Sequence, residues 1–225
     1  MFNFLKLLIE APAYIAELVA FVISAILLIR TRNKESLFFF ILLTLTCFVE
    51  LGSAYQLFTI KKTNNWIFNI FNPIEFSFYV WLYYKNTPVA LYRKRILIGL
   101  FALYLFYIID TLFIQGVLYL STYAYITGCI LLIYCVFNFY QYWLNTITVT
   151  AIKVMQWPMF WVSIGVFIFF GGEVFLMSYF QYFLNTHKME ILFPVWSVLS
   201  NLLNIILYTC LSISFLMQLK SQPKY

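Results

Sequence analysis

The sequence predicts an all-helical integral membrane protein, a bundle of seven transmembrane helices. Composition is the first indication: 64% of the 225 residues are hydrophobic and 10% are charged, whereas a soluble domain has about 25% charged residues. Mean hydropathy is +0.90. The second indication is that apolar stretches recur along the whole chain, each with roughly the 17 to 25 residues that a membrane-crossing helix needs.

Charged and turn-forming residues divide the chain into these stretches. They cover residues 12–29, 37–60, 66–84, 96–114, 123–144, 157–179 and 191–217. The first ends before a basic cluster that begins at Arg30. The second ends before Lys61 and Lys62, and the third begins just after Asn65 and ends before Lys85.

The later spans follow the same rule. The fourth begins after Arg93–Arg95, the fifth follows the polar segment 115–122, the sixth begins at Trp157, and the seventh is long enough to tilt or to extend past the membrane. The connections are too short to fold separately, so neighbouring helices must be antiparallel. We therefore expect residues 1–225 to form one seven-helix domain.

Lysine and arginine are distributed unevenly over the loops. Ten fall on the side of the C-terminus: Arg30, Arg32, Lys34, Lys85, Arg93, Lys94, Arg95, Lys153, Lys220 and Lys224. Four fall on the other side: Lys6, Lys61, Lys62 and Lys188. Because loops rich in basic residues stay in the cytoplasm, we expect the N-terminus outside and the C-terminus in the cytoplasm, in the cell (inner) membrane. This signal also accounts for the net charge of +6, which therefore does not indicate a nucleic-acid partner.

Acidic residues occur inside the spans without any basic residue beside them. They are Glu17, Glu50, Glu75, Asp110 and Glu173. A charge at the bilayer centre costs at least ~2.5 kcal/mol. We therefore expect each acid to be protonated, hydrogen-bonded, hydrated or bound to a cation.

The depth of each acid follows from its distance to the outer end of its span. With a rise of ~1.5 Å per residue, Glu50 and Glu75 lie roughly 15 Å and 14 Å deep. By the same arithmetic, Glu17, Asp110 and Glu173 lie roughly 8, 6 and 9 Å deep. All five fall in the outer half, which predicts an outward-facing acidic cavity. The alternative is that acids near the interface, such as Glu17 and Asp110, only cap helices or bond to neighbours.

Polar side chains recur at helical spacing next to some of these acids. In the third span Asn72, Glu75 and Tyr79 share one face, and in the seventh span Asn201 and Asn204 do the same. Lipid cannot satisfy such groups, so they must face other helices or water. They are candidate ligand-binding residues or, alternatively, hydrogen-bonding contacts between helices.

The run from Asn65 to Tyr79, with Asn72-Pro-Ile-Glu-Phe76 at its centre, resembles a known group of proteins. These are small, uncharacterised multi-helix membrane proteins of Bacteroidota-type bacteria. The resemblance implies a seven-helix sensor module that accompanies a histidine kinase. The matching positions are Asn72, Pro73, Glu75, Phe76 and Tyr79. The group does not indicate a ligand.

Several chemistries lack the residues that they need. The last span has no lysine for a retinal Schiff base, and the only histidine is His187, in a loop. Metal-dependent hydrolases need several histidines, and a Ser/His hydrolase needs a histidine close to its nucleophile. The four cysteines, which include Cys129, lie within helices without CxxC spacing and suit packing. The sequence therefore predicts no enzyme, metal or cofactor.

The leading functional hypothesis is a membrane receptor or sensor-like protein whose acidic cavity binds a cation, an amine or a proton. We expect the bilayer as its surroundings and a cytoplasmic or membrane kinase as its partner, docking on the basic loop Lys85–Arg95. The alternative is a cation- or proton-coupled small-solute transporter in which the deep acids are the carriers.

Overall fold

The computed structural model describes residues 12–146, 154–185 and 189–221, and in these residues the protein is all-helical. The helices are α1 (Ala13–Thr31), α2 (Lys34–Ala54), α3 (Asn65–Asn86), α4 (Ala90–Ile109), α5 (Thr122–Thr146), α6 (Pro158–Asn185) and α7 (Met189–Ser221). A π-helical turn, Asp110–Ile114, continues α4. Lys6, Lys153, His187, Lys188 and Lys224 lie outside the described residues.

Six of the seven helices are long and apolar enough to cross a membrane. The exception is α3, which carries three asparagines, a proline and a glutamate between Asn65 and Glu75. The all-helical fold is confirmed for the described residues, and six of their helices have the length and apolar composition of membrane spans. For α3 the polar residues lower the hydropathy, so its crossing stays a prediction.

Three span boundaries differ from the predicted ones by six residues. The second helix ends at Ala54 instead of residue 60, because the chain turns at once: Leu57 N–H donates to Gly52 O at 2.8 Å. A hairpin turn follows, in which Lys61 and Lys62 both have positive φ, 50° and 67°. The fourth helix begins earlier, at Ala90, and the sixth continues to Asn185, six residues beyond the predicted end.

The chain divides into two compact units. The described parts of residues 1–48, 149–169 and 190–225 form the first unit, and those of residues 49–148 and 170–189 form the second. In the second unit α3, α4 and α5 pack against one another in pairs.

In the first unit the turn between α1 and α2 is built by hydrogen bonds. Arg32 adopts a left-handed conformation after α1, and the Asn33 side chain accepts the Ser36 N–H at 2.7 Å. Asn33 thereby caps the start of α2. The turn borders a pocket of about 370 Å³, which is lined by Leu28, Ile29, Arg32, Asn33, Lys34 and Leu37.

Candidate functional site

Three of the sequence-predicted acids come together in the second unit. Glu75 interacts electrostatically with Glu50 and with Glu173, and Glu173 also interacts with Glu50. They come from three helices, of which α2 and α3 are consecutive and α6 is distant in sequence. We call Glu50, Glu75 and Glu173 the carboxyl cluster.

The helix boundaries change where each acid lies along its helix. Glu75 is at the centre of α3, about 15 Å from its first residue, close to the expected depth. Glu50 is only four residues before the end of α2, about 6 Å, so the predicted depth of roughly 15 Å was too large. Glu173 lies about 18 Å from the end of α6, deeper than predicted, because α6 continues past residue 179.

The members of the carboxyl cluster differ in exposure. Glu173 is 3% exposed, whereas Glu50 and Glu75 are half-buried. The three acids lie in residues 35–60, 65–84 and 158–185. The sequence of these segments contains no lysine or arginine. Compensation of their charge within these segments therefore requires protons, hydrogen bonds or a bound cation.

Aromatic side chains surround the cluster. Tyr79, Tyr107 and Tyr125 are 2%, 4% and 6% exposed, and each interacts electrostatically with Glu75. Phe76 and Phe170 complete the group, which we call the aromatic shell. The Phe170 ring lies edge-on to Tyr79, with centroids 5.5 Å apart.

Phe76 is the centre of this shell. It is fully buried, and its ring lies 5.4 Å from Tyr125, 5.5 Å from Phe170 and 6.4 Å from Tyr107, measured between centroids. Gly128 of α5 lets the ring approach, since a Cβ at that position would lie 2.5 Å from Phe76 Cε2. Phe76, which directly follows Glu75 in the sequence, is thus the residue around which the aromatic shell packs.

Cys129 and Asn72 also lie at the cluster. Cys129 is fully buried, has a free thiol and interacts electrostatically with Glu173 and Glu75. Asn72, which is 6% exposed, lies beside the hydroxyl of Tyr107. Of the polar face predicted on the third span, Asn72, Glu75 and Tyr79 therefore do meet at one place.

Two asparagines nearer the start of α3, Asn65 and Asn69, have a different role. Asn69 donates to Tyr119 O at 2.8 Å and accepts the Ser121 N–H at 2.9 Å, and Asn65 donates to Leu118 O at 3.2 Å. These asparagines fasten the segment between α4 and α5 to α3. Asn65 and Asn69 therefore serve as structural hydrogen-bonding contacts.

Asp110 also has a structural contact. It is fully buried, and its Oδ2 accepts the Ala124 N–H at 2.9 Å, in the first turn of α5. A carboxylate at that position satisfies an N–H group that has no partner within the helix. Asp110 also interacts electrostatically with Tyr107 of the aromatic shell.

The remaining predicted site residues belong to the first unit. Glu17 is 1% exposed in α1. Asn201 and Asn204 lie in α7, and their amides donate to carbonyls of the same helix, Ser197 O at 2.7 Å and Ser200 O at 3.0 Å. The structure therefore gives a local contact for both asparagines.

Two observations bear on what the cluster can hold. Among the described residues, no three His, Cys, Asp or Glu side chains are grouped closely enough to hold a metal ion. Ring faces, in contrast, attract organic cations.

Comparison of the chain with protein-family models, with curated proteins and with solved structures found no match.

Sequence reasoning did not single out Tyr125, Phe170 or Gly128. A usable signal existed for α5, since Tyr125 and Cys129 are four residues apart and Gly128 lies next to them. No comparable signal marked Phe170, which lies in an apolar run of similar residues.

Proposed function

We propose that the chain is a membrane receptor or sensor-like protein that takes up a proton or a small organic cation at the carboxyl cluster. The observation that supports this most directly is the convergence of Glu50, Glu75 and Glu173 from three helices. An ionised acid within an apolar helix is energetically unfavourable. A structural role for a single acid would not require three acids to lie close together. Uptake of a positive charge relieves their mutual repulsion.

The aromatic shell supports an organic cation as one form of the ligand. Tyr79, Tyr107 and Tyr125 present ring surface near the acids, and a desolvated ring stabilises a cation by about 2 kcal/mol. Half-buried Glu75 and Glu50 give access that Glu173 lacks. In this proposal Glu75 and Glu50 meet the ligand first, and Glu173 is its buried counter-charge.

We further propose an orientation of the protein in the membrane and a signalling partner. The N-terminus is outside, the C-terminus is in the cytoplasm, and the cluster is reached from outside the cell membrane. The change of charge at the cluster alters the packing of α2, α3 and α6, and a kinase in the membrane or the cytoplasm responds to it.

A proton- or cation-coupled transporter is the second candidate, and one feature of α6 favours it. Gly171 lies two residues before Glu173, and apart from its chain neighbours and the nearby backbone of α6 no atom lies within 4 Å of the position that its Cβ would occupy. Open space at a small residue of α6 suits a carrier whose helix must move during transport.

The test uses the full chain in proteoliposomes and the variant Glu75→Gln. Glutamine keeps the size and hydrogen-bonding capacity of the side chain but removes its titration. We expect infrared difference spectra across a pH step to show a carboxyl band in the wild type that is lost in Glu75→Gln, while thermal unfolding stays unchanged. Asp110→Asn is the matched control, because this acid contacts a backbone N–H, and it should keep the band.

The same vesicles distinguish the two candidates. A pH-sensitive dye inside them should report no sustained proton flux if the protein is a sensor. Sustained flux that Glu75→Gln abolishes would replace the sensor with the transporter. A Glu75→Gln variant that retains the full carboxyl band would overturn the role of Glu75 in both.

A further inference from the structure

Positive charge is concentrated around the connection between α3 and α4, at the end of α3 and the start of α4. Between Glu75 and Asp110 the chain has four basic residues and no acid. The basic residues are Lys85, Arg93, Lys94 and Arg95, and we call them the basic turn. Lys85 lies ten residues beyond Glu75 along α3, so the basic turn is separate from the carboxyl cluster.

Aromatic rings hold three of these cations. Lys85 Nζ lies 5.6 Å from the centre of the Trp81 ring, Arg93 Cζ lies 5.4 Å from that of Tyr84, and Arg95 Cζ lies 6.0 Å from that of Tyr92. Such pairs restrict the side chains while leaving the charge in place. The Arg93–Tyr84 pair joins the start of α4 to the end of α3, whereas the other two pairs each lie within one helix.

Arg93 is fixed further by the backbone. Its Nε donates to the carbonyl oxygen of Thr87, a residue that is 1% exposed. A guanidinium has five N–H donors in a planar fork, so the Nη groups remain to bind an anion. Lys94 and Arg95 are exposed beside it.

The start of α4 adds to the attraction for an anion. The first turn has no acidic residue, and Val89 before it gives no side-chain cap. Unsatisfied N–H groups and the positive end of the helix dipole favour an anion at this place and disfavour the cations. In the part of the chain that the structure describes, no carboxylate forms an ion pair with Arg93, Lys94 or Arg95.

We propose that the basic turn binds the phosphate headgroup of an anionic phospholipid. The turn lies at one end of Ala90–Ile114, a segment apolar enough to cross the membrane, so it is placed where headgroups are. Leu91, Leu97 and Ile98 are exposed next to the basic residues and suit acyl chains. Tryptophan and tyrosine beside them are the residues that membrane interfaces prefer. This apolar border distinguishes a lipid from a free phosphate ion.

The test measures lipid binding to the purified full chain in a neutral detergent. The probe is phosphatidylglycerol, titrated while native mass spectrometry counts bound lipid, with phosphatidylcholine and inorganic phosphate as separate arms. The double variant Lys94→Gln with Arg95→Gln removes two exposed charges from the basic turn. The double variant Lys61→Gln with Lys62→Gln removes two exposed charges from another turn of the same unit and is the matched control.

We expect the apparent Kd for phosphatidylglycerol to rise about tenfold or more in the first double variant, at ~1 kcal/mol per basic residue near an anionic surface. The control variant should stay within about twofold of the wild type, since its charges do not contribute to the site. Equal loss in both variants would mean attraction to overall charge and would overturn the site. Undiminished binding in the first variant would also overturn it and would leave a protein partner as the occupant, and phosphate binding as tight as the lipid would overturn the assignment to a lipid.

Discussion

The acids of the carboxyl cluster could be found from sequence, whereas their aromatic neighbours could not. Glu50, Glu75 and Glu173 stand out because carboxyl groups are rare and costly in apolar helices. The chain has 26 phenylalanines and 18 tyrosines. Among so many aromatic residues, neither Phe170 nor Tyr125 stands out in the sequence. Only the three-dimensional packing shows that Tyr125 lies near Glu75 and Glu173 and that the Phe170 ring contacts Phe76 and Tyr79.

Gly128 shows how a single missing side chain determines the packing at the site. Its place in α5 is filled by the edge of the Phe76 ring, and that ring contacts Tyr107, Tyr125 and Phe170. A larger residue would have to displace the ring beside the acids. The glycine is therefore tied to the position of the aromatic shell.

The first prediction compares two glycine substitutions in the second unit. Gly128→Ala places a methyl group where Phe76 Cε2 is 2.5 Å away, so we expect a loss of stability of about 1 to 3 kcal/mol. Gly171→Ala meets no atom within 4 Å apart from its chain neighbours and the nearby backbone of α6, and it removes the flexibility of glycine from a helix, so stability should stay the same or rise by up to about 1 kcal/mol. Thermal unfolding in one detergent measures both. Equal destabilisation would mean that the close approach at Gly128 is unimportant.

At the scale of elements, the existence and order of the seven helices followed from hydropathy, while their ends did not. The second helix ends early because residues 55–63 form turns in which Gln56, Lys61 and Lys62 have positive φ. Turns of this kind usually contain glycine or asparagine, so two lysines gave no signal. The sixth helix continues because residues 180–184 are largely aromatic and apolar and lack a helix-breaking residue.

Asp110 connects two elements, since it ends the regular part of α4 and caps α5. Its carbonyl accepts the Gln115 N–H at 2.8 Å in the π-helical turn, and its side chain accepts the Ala124 N–H. From sequence, capping and ligand binding were both open for this residue. The contacts favour capping.

The second prediction separates these two roles of Asp110. Asp110→Asn retains an oxygen that can accept the Ala124 N–H, so we expect stability close to that of the wild type. Asp110→Ala removes the acceptor and should cost about 1 to 2 kcal/mol. Chemical denaturation of the purified protein measures the difference. If Asn is as destabilising as Ala, the negative charge, and not the hydrogen bond, is what the site requires.

At the scale of the whole molecule, charge is arranged by location. Five of the eight acids occur inside the apolar spans, where their charge must be compensated, and the basic residues that the structure describes occur at or near helix ends. Of the basic residues that the structure describes, eight are on the side expected to be cytoplasmic, and Lys61 and Lys62 are on the other side. Which side of the membrane the carboxyl cluster and the basic turn face therefore depends on the orientation of the chain.

The last prediction tests that orientation with reporters fused at two places. If the side with more basic residues is cytoplasmic, a C-terminal alkaline phosphatase should be inactive and a C-terminal fluorescent protein should be bright. Phosphatase inserted in the turn between α2 and α3, next to Lys61, should be active, because that turn is then outside. The two sites control for each other, since a correct topology gives opposite results at them. An active C-terminal phosphatase would place the basic turn outside the cell and open the carboxyl cluster towards the cytoplasm, so the ligand would have to come from there.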